Sequence, residues 1–317
     1  MSAATFRRPF PPLTPAQRYH LEVFGYVVLE NALSRGEVER LKGALLRLFA
    51  DLEALEDRGL NGPRVGGAFL GIDKPCHKFA VNILESDPAI TAYATHPYMV
   101  SLAEELIGGE ARIVEMNAHI NSRDPDNTWE KGLAGFHRGT DVPYAGHTHG
   151  GLFHCNFVKT LTNLTDLGPD DGGTAVIAGS HKIDAPPKEL IALAEEDRSL
   201  VHQVVAPAGS TLLFCETLVH STGPIRSGRE RIIIITGYGS TMFPYWDYGD
   251  LSPGFRERIP EQLKVLFEGK QVWTRGARYR DLATPADERR FALGEWDDRP
   301  AASDEDLRRF TSPEGYR

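Results

Sequence analysis

The chain has 317 residues, of which 41% are hydrophobic and 25% are charged, a composition typical of a folded globular protein rather than a disordered one. Its formal net charge of −9 argues against a nucleic-acid polymer as partner, because binding a phosphate backbone requires a basic face. Its cysteines, Cys76, Cys155 and Cys215, form no C-x-x-C pair, so we predict reduced thiols rather than a zinc site or a disulfide framework.

The first residues, 1–13, contain several prolines and no apolar run, which predicts a loose N-terminal arm rather than a signal peptide. No stretch approaches the roughly 18 apolar residues of a membrane-spanning helix, so we expect no membrane partner and a cytoplasmic protein. The length fits one elaborated domain over 1–317. Within it, residues 243–317 are predicted to form a C-terminal lid or helical extension.

The first half of the chain predicts helices around a few strands. Thr14-Pro15-Ala16-Gln17 places proline at the first position of a helix. Ser34-Arg35-Gly36-Glu37 is a capping box, and apolar residues at steps of three and four after it predict an amphipathic helix to about Glu56. The other predicted elements are a strand at 24–29, a loop at 57–75, a helix at 96–107 and a strand at 111–120.

The second half of the chain is rich in predicted strands separated by glycine, proline and aspartate. These strands lie at 153–164, 174–178, 210–214 and 231–237. Strands at such spacing predict a sandwich or barrel, so the expected fold class is mainly β with flanking helices. Beyond Phe243 the sequence becomes polar and aromatic, with helices predicted near 260–267 and 285–291.

Several short motifs share an order and spacing that is more specific than any one of them alone. They are Phe24-Gly25-Tyr26-Val27-Val28, Ser34-Arg35-Gly36-Glu37-Val38, Asp171-Gly172-Gly173-Thr174, Gly179-Ser180-His181-Lys182, Gly209-Ser210-Thr211-Leu212-Leu213-Phe214 and the segment from His220 to Arg231. In this the chain resembles the phytanoyl-CoA dioxygenase (PhyH-like) family of iron(II)/2-oxoglutarate-dependent enzymes, roughly from Thr14 to Ser240. The resemblance implies a double-stranded β-helix, a cupin-like jelly roll that holds iron at its open end.

The resemblance also assigns residues to the cofactors. His137 matches the first iron ligand of the family, and His220 matches the distal one. Arg231 matches the arginine that pairs with the far carboxylate of 2-oxoglutarate, a task that suits a guanidinium because it grips a carboxylate with two parallel hydrogen bonds. Thr222 matches a hydroxyl that often assists it. The implied cofactors are iron(II) and 2-oxoglutarate, and the implied partners are O2 and a small-molecule substrate.

Position 139 departs from the family's hydroxylases, which carry there the aspartate or glutamate of a site with two histidines and one carboxylate. Gly139 has no side chain to bind a metal, although on an extended segment it would face the metal together with His137. In iron/2-oxoglutarate halogenases this position is glycine or alanine, and chloride occupies the vacated coordination position. The resemblance therefore implies a halogenase with chloride at Gly139. Its substrate would be a free small molecule, such as a nucleotide or another natural-product precursor, chlorinated at an unactivated C–H bond.

Two alternatives remain open. The chain is a hydroxylase if Asp141, two residues beyond Gly139, or a water molecule takes the place of the missing carboxylate. It is a non-catalytic jelly-roll protein that binds a ligand if catalysis has been lost, because fold does not determine function. The joint presence of His137, His220 and Arg231 argues against this second alternative, since a scaffold without catalysis needs none of them.

Other motifs carry weaker predictions. His147-Thr148-His149 and His154 are rivals for metal binding, although a loop or substrate-contact role is the preferred interpretation. His181, in the Gly-Ser-His turn, is predicted to be structural. The segment Phe243-Pro244-Tyr245-Trp246 with Tyr248 predicts either an aromatic wall for a substrate ring or the packing of a lid.

Overall fold

The computed structural model describes residues 13–126, 129–130, 132–140, 145–149, 151–245 and 251–270. All but the last residue of the predicted arm at 1–13 lies outside these ranges, as do the predicted helix at 285–291 and most of the predicted extension at 243–317. No helix in the described ranges is long and apolar enough to cross a membrane. All three cysteines lie within them and are free thiols. The division into one domain over 1–317 stays a prediction.

The described residues form helices and a larger number of strands. The helices are α1 Pro15–Phe24, α2 Arg35–Glu53, α3 Pro88–Ala94, α4 Pro97–Ile107, α5 Pro187–Glu196, α6 Pro253–Arg258 and α7 Lys264–Glu268, with 3-10 turns at Ser180–Lys182, Arg198–Leu200 and Glu261–Leu263. The strands are β1 Tyr26–Leu29, β2 Phe69–Lys74, β3 His77–Val81, β4 Ala111–Asn121, β5 Gly146–His149, β6 Leu152–Cys155, β7 Phe157–Asn163, β8 Thr174–Ile177, β9 Val201–Gln203, β10 Thr211–Cys215, β11 His220–Thr222 and β12 Arg231–Ser240.

The first two helices begin where their local signals predict. Thr14 caps α1, and Ser34 caps α2, each through a complete capping box. Gly25 ends α1 with φ 84°, a left-handed conformation that glycine adopts without steric cost. The strand predicted at 24–29 therefore begins at Tyr26.

The strands form a major antiparallel sheet in the order β1-β10-β7-β12-β4-β3-β2 and a minor sheet in the order β11-β8-β9, with β5 and β6 as a separate hairpin. The mainly β class with flanking helices is confirmed. The loop predicted at 57–75 is wrong in its last part, which forms β2; the register of β2 shifts at Gly71, and the glycines hid the strand pattern. The single strand predicted at 153–164 divides into β6 and β7 at Asn156, whose N–H bonds to Ala145 instead.

The two faces of the major sheet differ in chemistry, because residues opposite each other in register point to the same face. On the outer face, Tyr93 of α3 shares a 2.6 Å hydrogen bond with the Thr162 hydroxyl, and the helices bury a large apolar core. On the inner face, Arg231 lies opposite Asn121. Arg231 and Asn121 thus lie on the side that faces the minor sheet, whereas the hydroxyls of Thr162 and Thr211 lie on the helix side.

Candidate metal and co-substrate site

His137 and His220 come together where the two sheets meet. Their backbones form an isolated antiparallel bridge, with each N–H donating to the other's carbonyl at 2.9 Å. The imidazole centroids are 4.5 Å apart. Phe136 and Val219, the residues just before each histidine, are buried in the small apolar core under α5. This core fixes the backbone from which both rings project.

Both rings are oriented in the same way for metal binding. His137 Nδ1 lies 2.8 Å from the Gly135 carbonyl, and His220 Nδ1 lies 2.9 Å from the Leu218 carbonyl. A carbonyl oxygen can only accept, so each Nδ1 carries the proton and each Nε2 keeps a free lone pair. Metal-bound histidines commonly donate in this way to a backbone carbonyl. Burial, with His137 nearby, lowers the pKa of His220 to about 3, so its ring is neutral and able to ligate.

The space beside Gly139 contains a carboxylate. A Cβ atom at position 139 would lie 1.3 Å from Glu216 Oε2, so any other residue there would collide with the Glu216 side chain. The amide of Gly139 also donates to the Glu216 carbonyl at 3.0 Å. The Glu216 carboxylate therefore occupies the space beside Gly139, and no sequence motif pointed to this residue. Asp141, the alternative ligand, lies outside the described residues.

Glu216 belongs to a buried network of charges. Its side chain is 1% exposed, and its Oε1 lies 3.5 Å from Lys159 Nζ. Lys159 Nζ is closer to Glu115 Oε1, at 2.7 Å, and Asn117 Nδ2 donates to Glu115 Oε2 at 2.8 Å. Burial opposes the charge on Lys159, but Glu115 and Glu216 outweigh it and raise the pKa of Lys159. Two carboxylates and one ammonium thus leave a net negative charge in the interior.

Arg231 is a buried cation without an acidic partner in the described part of the chain. Its side chain is among the largest that are fully buried. Nη1 donates to Asn121 Oδ1 at 3.2 Å, Nη2 donates to Thr174 Oγ1 at 2.9 Å, and Nε has no partner. Burial lowers the pKa of Arg231 to about 10, so the guanidinium is still charged near neutral pH. A buried charge of this kind fits an anionic ligand such as the far carboxylate of 2-oxoglutarate.

The hydroxyl that meets Arg231 belongs to Thr174. Thr222, which the resemblance placed at the co-substrate, lies directly opposite Thr174 in the β11–β8 register. The two threonines are therefore neighbours, and the role of Thr222 stays a prediction. Thr174 could not be identified from the sequence because it depends on the pairing of distant strands.

Two further histidines lie on the same inner face. His77 is opposite Asn121, and its Nε2 is 3.0 Å from His119 Nδ1. The His119 ring stacks on Phe79 with centroids 4.2 Å apart. Burial, followed by His77 and Arg231, lowers the pKa of His119 well below its ordinary value. Both rings lie on the same face of the sheet as Arg231 and are candidates for ligand contact.

The rival histidines are placed elsewhere. His147 and His149 are exposed on the β5–β6 hairpin, and His147 lies opposite His154. Within the described ranges, no three His, Cys, Asp or Glu side chains are gathered closely enough to hold a metal ion. His137 and His220, whose Nδ1 atoms bond to backbone carbonyls, are the pair that the resemblance assigns to iron.

The aromatic segment after β12 contributes to packing where it is described. Phe243 stacks on Phe157 with centroids 5.1 Å apart. The Tyr245 hydroxyl donates to the Phe267 carbonyl at 2.6 Å, and the Arg112 guanidinium lies over the Tyr245 ring at 4.2 Å. These two side chains therefore pack against the rest of the fold, and the lid stays a prediction. Trp246 and Tyr248 lie outside the described residues.

His181 is a buried residue packed away from the metal pair. Its ring meets Phe153 edge-on at 4.9 Å, and a Cβ atom at Gly25 would come within 2.5 Å of its Nδ1. Burial, reinforced by Lys182, lowers the pKa of His181 from its ordinary 6.5 to about 4. As the pH falls, His181 therefore takes up a proton in the unfolded chain at a higher pH than in the folded chain.

We expect His181→Phe to remove part of the acid sensitivity of the fold. Stability that depends on a neutral His181 is complete above about pH 6.5 and is lost as the pH falls toward about 4. Between about pH 7 and about pH 5 the loss attributable to this group is about 2 kcal/mol, measurable as the free energy of unfolding in urea. His149→Gln, at an exposed position, is the control, and its free energy of unfolding should depend on pH as that of the wild type does. If the free energy of unfolding of His181→Phe depends on pH as strongly as that of the wild type, His181 is not a source of the acid sensitivity.

The chain has recognisable relatives. The family model for phytanoyl-CoA dioxygenase (PhyH) matches residues 21–233, which is more than half of the chain. No curated protein matches it significantly. Among crystal structures, HygX from Streptomyces hygroscopicus, with nickel, 2-oxoglutarate and hygromycin B bound, is 22% identical over 74% of this chain and 90% of HygX, with a TM-score of 0.57.

Two further structures show the same likeness. AviO1 from Streptomyces viridochromogenes is 20% identical over 72% of this chain and 96% of AviO1, with a TM-score of 0.55. SnoN, a non-haem α-ketoglutarate-dependent epimerase from nogalamycin biosynthesis, is 18% identical over 75% of this chain and 89% of SnoN, with a TM-score of 0.53. These similarities confirm the predicted jelly-roll fold.

Proposed function

Because this chain belongs to the phytanoyl-CoA dioxygenase family of non-haem iron(II)/2-oxoglutarate-dependent oxidoreductases, we propose that it hydroxylates a C–H bond of a free small molecule. The observation that carries the choice of hydroxylation is the Glu216 carboxylate in the space beside Gly139. A halogenase needs that space for chloride. A hydroxylase with the usual set of ligands has a carboxylate beside the two histidines.

The residues present fit the two cofactors. His137 and His220 would hold the iron through Nε2, because each Nδ1 is already bound to a backbone carbonyl. Arg231 would bind the far carboxylate of 2-oxoglutarate, with Asn121 and Thr174 fixing the plane of the guanidinium. When bound, iron and 2-oxoglutarate supply, together with O2, the oxidising power for C–H cleavage. The chain contributes orientation and a site largely withdrawn from water.

Chlorination is the second candidate, and the glycine at position 139 favours it. Electrostatics weighs against it. Before the charge of the iron is counted, two unit negative charges about 4 Å apart repel by about 4 kcal/mol at an effective dielectric constant of about 20, and a chloride beside Glu216 would meet such a charge. Lys159 offsets part of this repulsion, but it lies closer to Glu115 than to Glu216. The carboxylate beside position 139 thus outweighs the glycine at that position, and hydroxylation is the better-supported reaction.

For the substrate we propose a free natural-product-like molecule. HygX binds hygromycin B, and SnoN has been crystallised with nogalamycin RO, so related folds accept large polar natural products. The acidic chain makes a carrier protein, which would dock on a basic patch, a poorer match. O2 is the expected co-substrate.

The product of turnover tests the choice of reaction. We expect enzyme supplied with iron(II), 2-oxoglutarate, O2 and a panel of natural-product candidates to form succinate and a product heavier by one oxygen atom, detected by mass spectrometry. The yield should be equal in chloride and in chloride-free buffer. A chlorinated product that becomes brominated in bromide buffer would establish the halogenase instead. Absence of iron-dependent and 2-oxoglutarate-dependent succinate formation, including turnover without substrate, would favour the non-catalytic alternative.

A further inference from the structure

We propose that Glu216 supplies the third protein ligand of the iron, in place of the carboxylate that other members carry at position 139. The inference rests on the proposed function and deepens it. It also explains the glycine: residue 139 must be small because the carboxylate comes from Glu216, directly after β10.

The first argument is position. Residue 139 follows His137 by two positions on an extended segment, so both point to the same side. Glu216 Oε2 lies 1.3 Å from where a Cβ atom of residue 139 would stand. The Glu216 carbonyl accepts from the amides of Gly139 and Thr140 at 3.0 and 3.3 Å, which ties the two segments together. The Glu216 carboxylate therefore occupies the starting point of the missing side chain.

The second argument is the turn that joins Glu216 to His220. The Leu218 amide donates to the Cys215 carbonyl at 3.0 Å, closing a tight turn directly after β10. The Leu218 carbonyl then accepts from His220 Nδ1 at 2.9 Å. One short segment thus carries both the carboxylate and the distal histidine, and the same turn orients the histidine ring.

The third argument is the incomplete pairing of the carboxylate. Glu216 is 1% exposed, and its Oε1 has no hydrogen bond. The nearest cation, Lys159, is 3.5 Å from that oxygen but 2.7 Å from Glu115. Burying a carboxylate without full compensation is costly. A divalent cation would supply the missing compensation, and Lys159 would remain as the partner of Glu115.

The described side chains are not yet gathered into a three-ligand group. The proposal therefore includes a turn of the Glu216 carboxylate toward the two imidazoles when metal binds. A glutamate has the side-chain rotations for this movement, whereas the backbone is held by the hydrogen bonds to Gly139 and Thr140.

Metal affinity, measured without turnover, tests the proposal. Cobalt(II) and, under anaerobic conditions, iron(II) are titrated into the full chain by calorimetry, and the cobalt absorption spectrum reports the ligand set. We expect Glu216→Gln to weaken binding by about 100-fold or more and to change the spectrum, since loss of even an outer partner of a ligand commonly costs about 10–100-fold. The control is Glu104→Gln, a second buried carboxylate, which accepts from the Ala111 amide at 3.2 Å and should retain the wild-type affinity and spectrum.

A second experiment moves the carboxylate from position 216 to position 139. Gly139→Asp alone should bind metal poorly, because its side chain collides with Glu216. The double variant Gly139→Asp/Glu216→Ala removes the collision and returns a carboxylate to the usual position. We expect it to recover metal affinity to within about 10-fold of wild type. Glu216→Ala alone is the reference, and it should bind metal at least about 10-fold more weakly than the double variant. Wild-type affinity in a folded Glu216→Ala variant would overturn the proposal, as would a folded double variant that binds no better than Glu216→Ala.

The remaining outcomes separate this inference from the proposed function. If Glu216→Gln binds metal as wild type does while His137→Ala and His220→Ala do not, Glu216 is not a ligand and the enzyme assignment stands. If the wild-type chain binds no metal, or binds it independently of His137 and His220, the proposed function itself fails.

Discussion

Arg231→Met is expected to remove most of the affinity for 2-oxoglutarate. The guanidinium is buried, lacks an acidic partner among the described residues and retains an unbonded Nε, so a carboxylate ligand would form its charge pair in a dry environment. Removing one partner of such a pair costs about 2–5 kcal/mol. Titration calorimetry of 2-oxoglutarate into cobalt-loaded protein measures this loss directly.

Two control variants sharpen the result. Arg231→Lys keeps the charge but loses the planar pair of donors, so its affinity should lie between those of wild type and Arg231→Met. Arg229→Gln removes a guanidinium from an exposed residue that pairs with Asp171, and it should bind 2-oxoglutarate normally. An Arg231→Met variant with unchanged affinity would mean that the co-substrate is held elsewhere.

His137→Ala is expected to abolish metal-dependent turnover without weakening the fold. The residue is exposed, and truncation of an exposed side chain usually changes stability by less than about 0.5 kcal/mol. Its Nε2 nevertheless carries one of the two lone pairs that the paired histidines can offer to a metal. We expect cobalt(II) affinity to fall by more than about 100-fold, with the thermal midpoint of the metal-free protein unchanged.

The neighbouring hairpin offers the matched control. His149→Ala removes an equally exposed imidazole from the His147-Thr148-His149 motif and should leave metal affinity intact. The reverse pattern, with metal lost in His149→Ala and retained in His137→Ala, would transfer the site to the hairpin. His220→Ala is less informative because that ring is buried against Phe214, and its loss would also affect packing.

The features that could be predicted from the sequence depend on neighbouring residues. The capping boxes at Thr14 and Ser34 use residues three positions apart, and both helices begin there. His137, His220 and Arg231 could be assigned from the resemblance to the family, and their roles stay predictions. The structure brings the first two together and places Arg231 on the inner face of the same fold.

The features that could not be predicted depend on strand pairing. Thr174 meets Arg231 only because β8 crosses near the start of β12, and His77 meets His119 only through the β3–β4 register. Strand β2 was missed because its bulge at Gly71 breaks the alternation on which strand prediction relies. Glu216 gave a weak signal: an acidic residue directly after the fully buried strand β10.

The two paired histidines differ in their access to solvent: the ring of His137 is exposed, whereas that of His220 lies in the wall formed by the strands. If the two histidines bind the metal as proposed, an ion arriving from solution would encounter the exposed ring, at the rim of the site, before the buried one. Loading and release can then proceed through side-chain movements at the rim, with the strands still paired. The rate of metal exchange would be governed by the rim rather than by the stability of the whole protein.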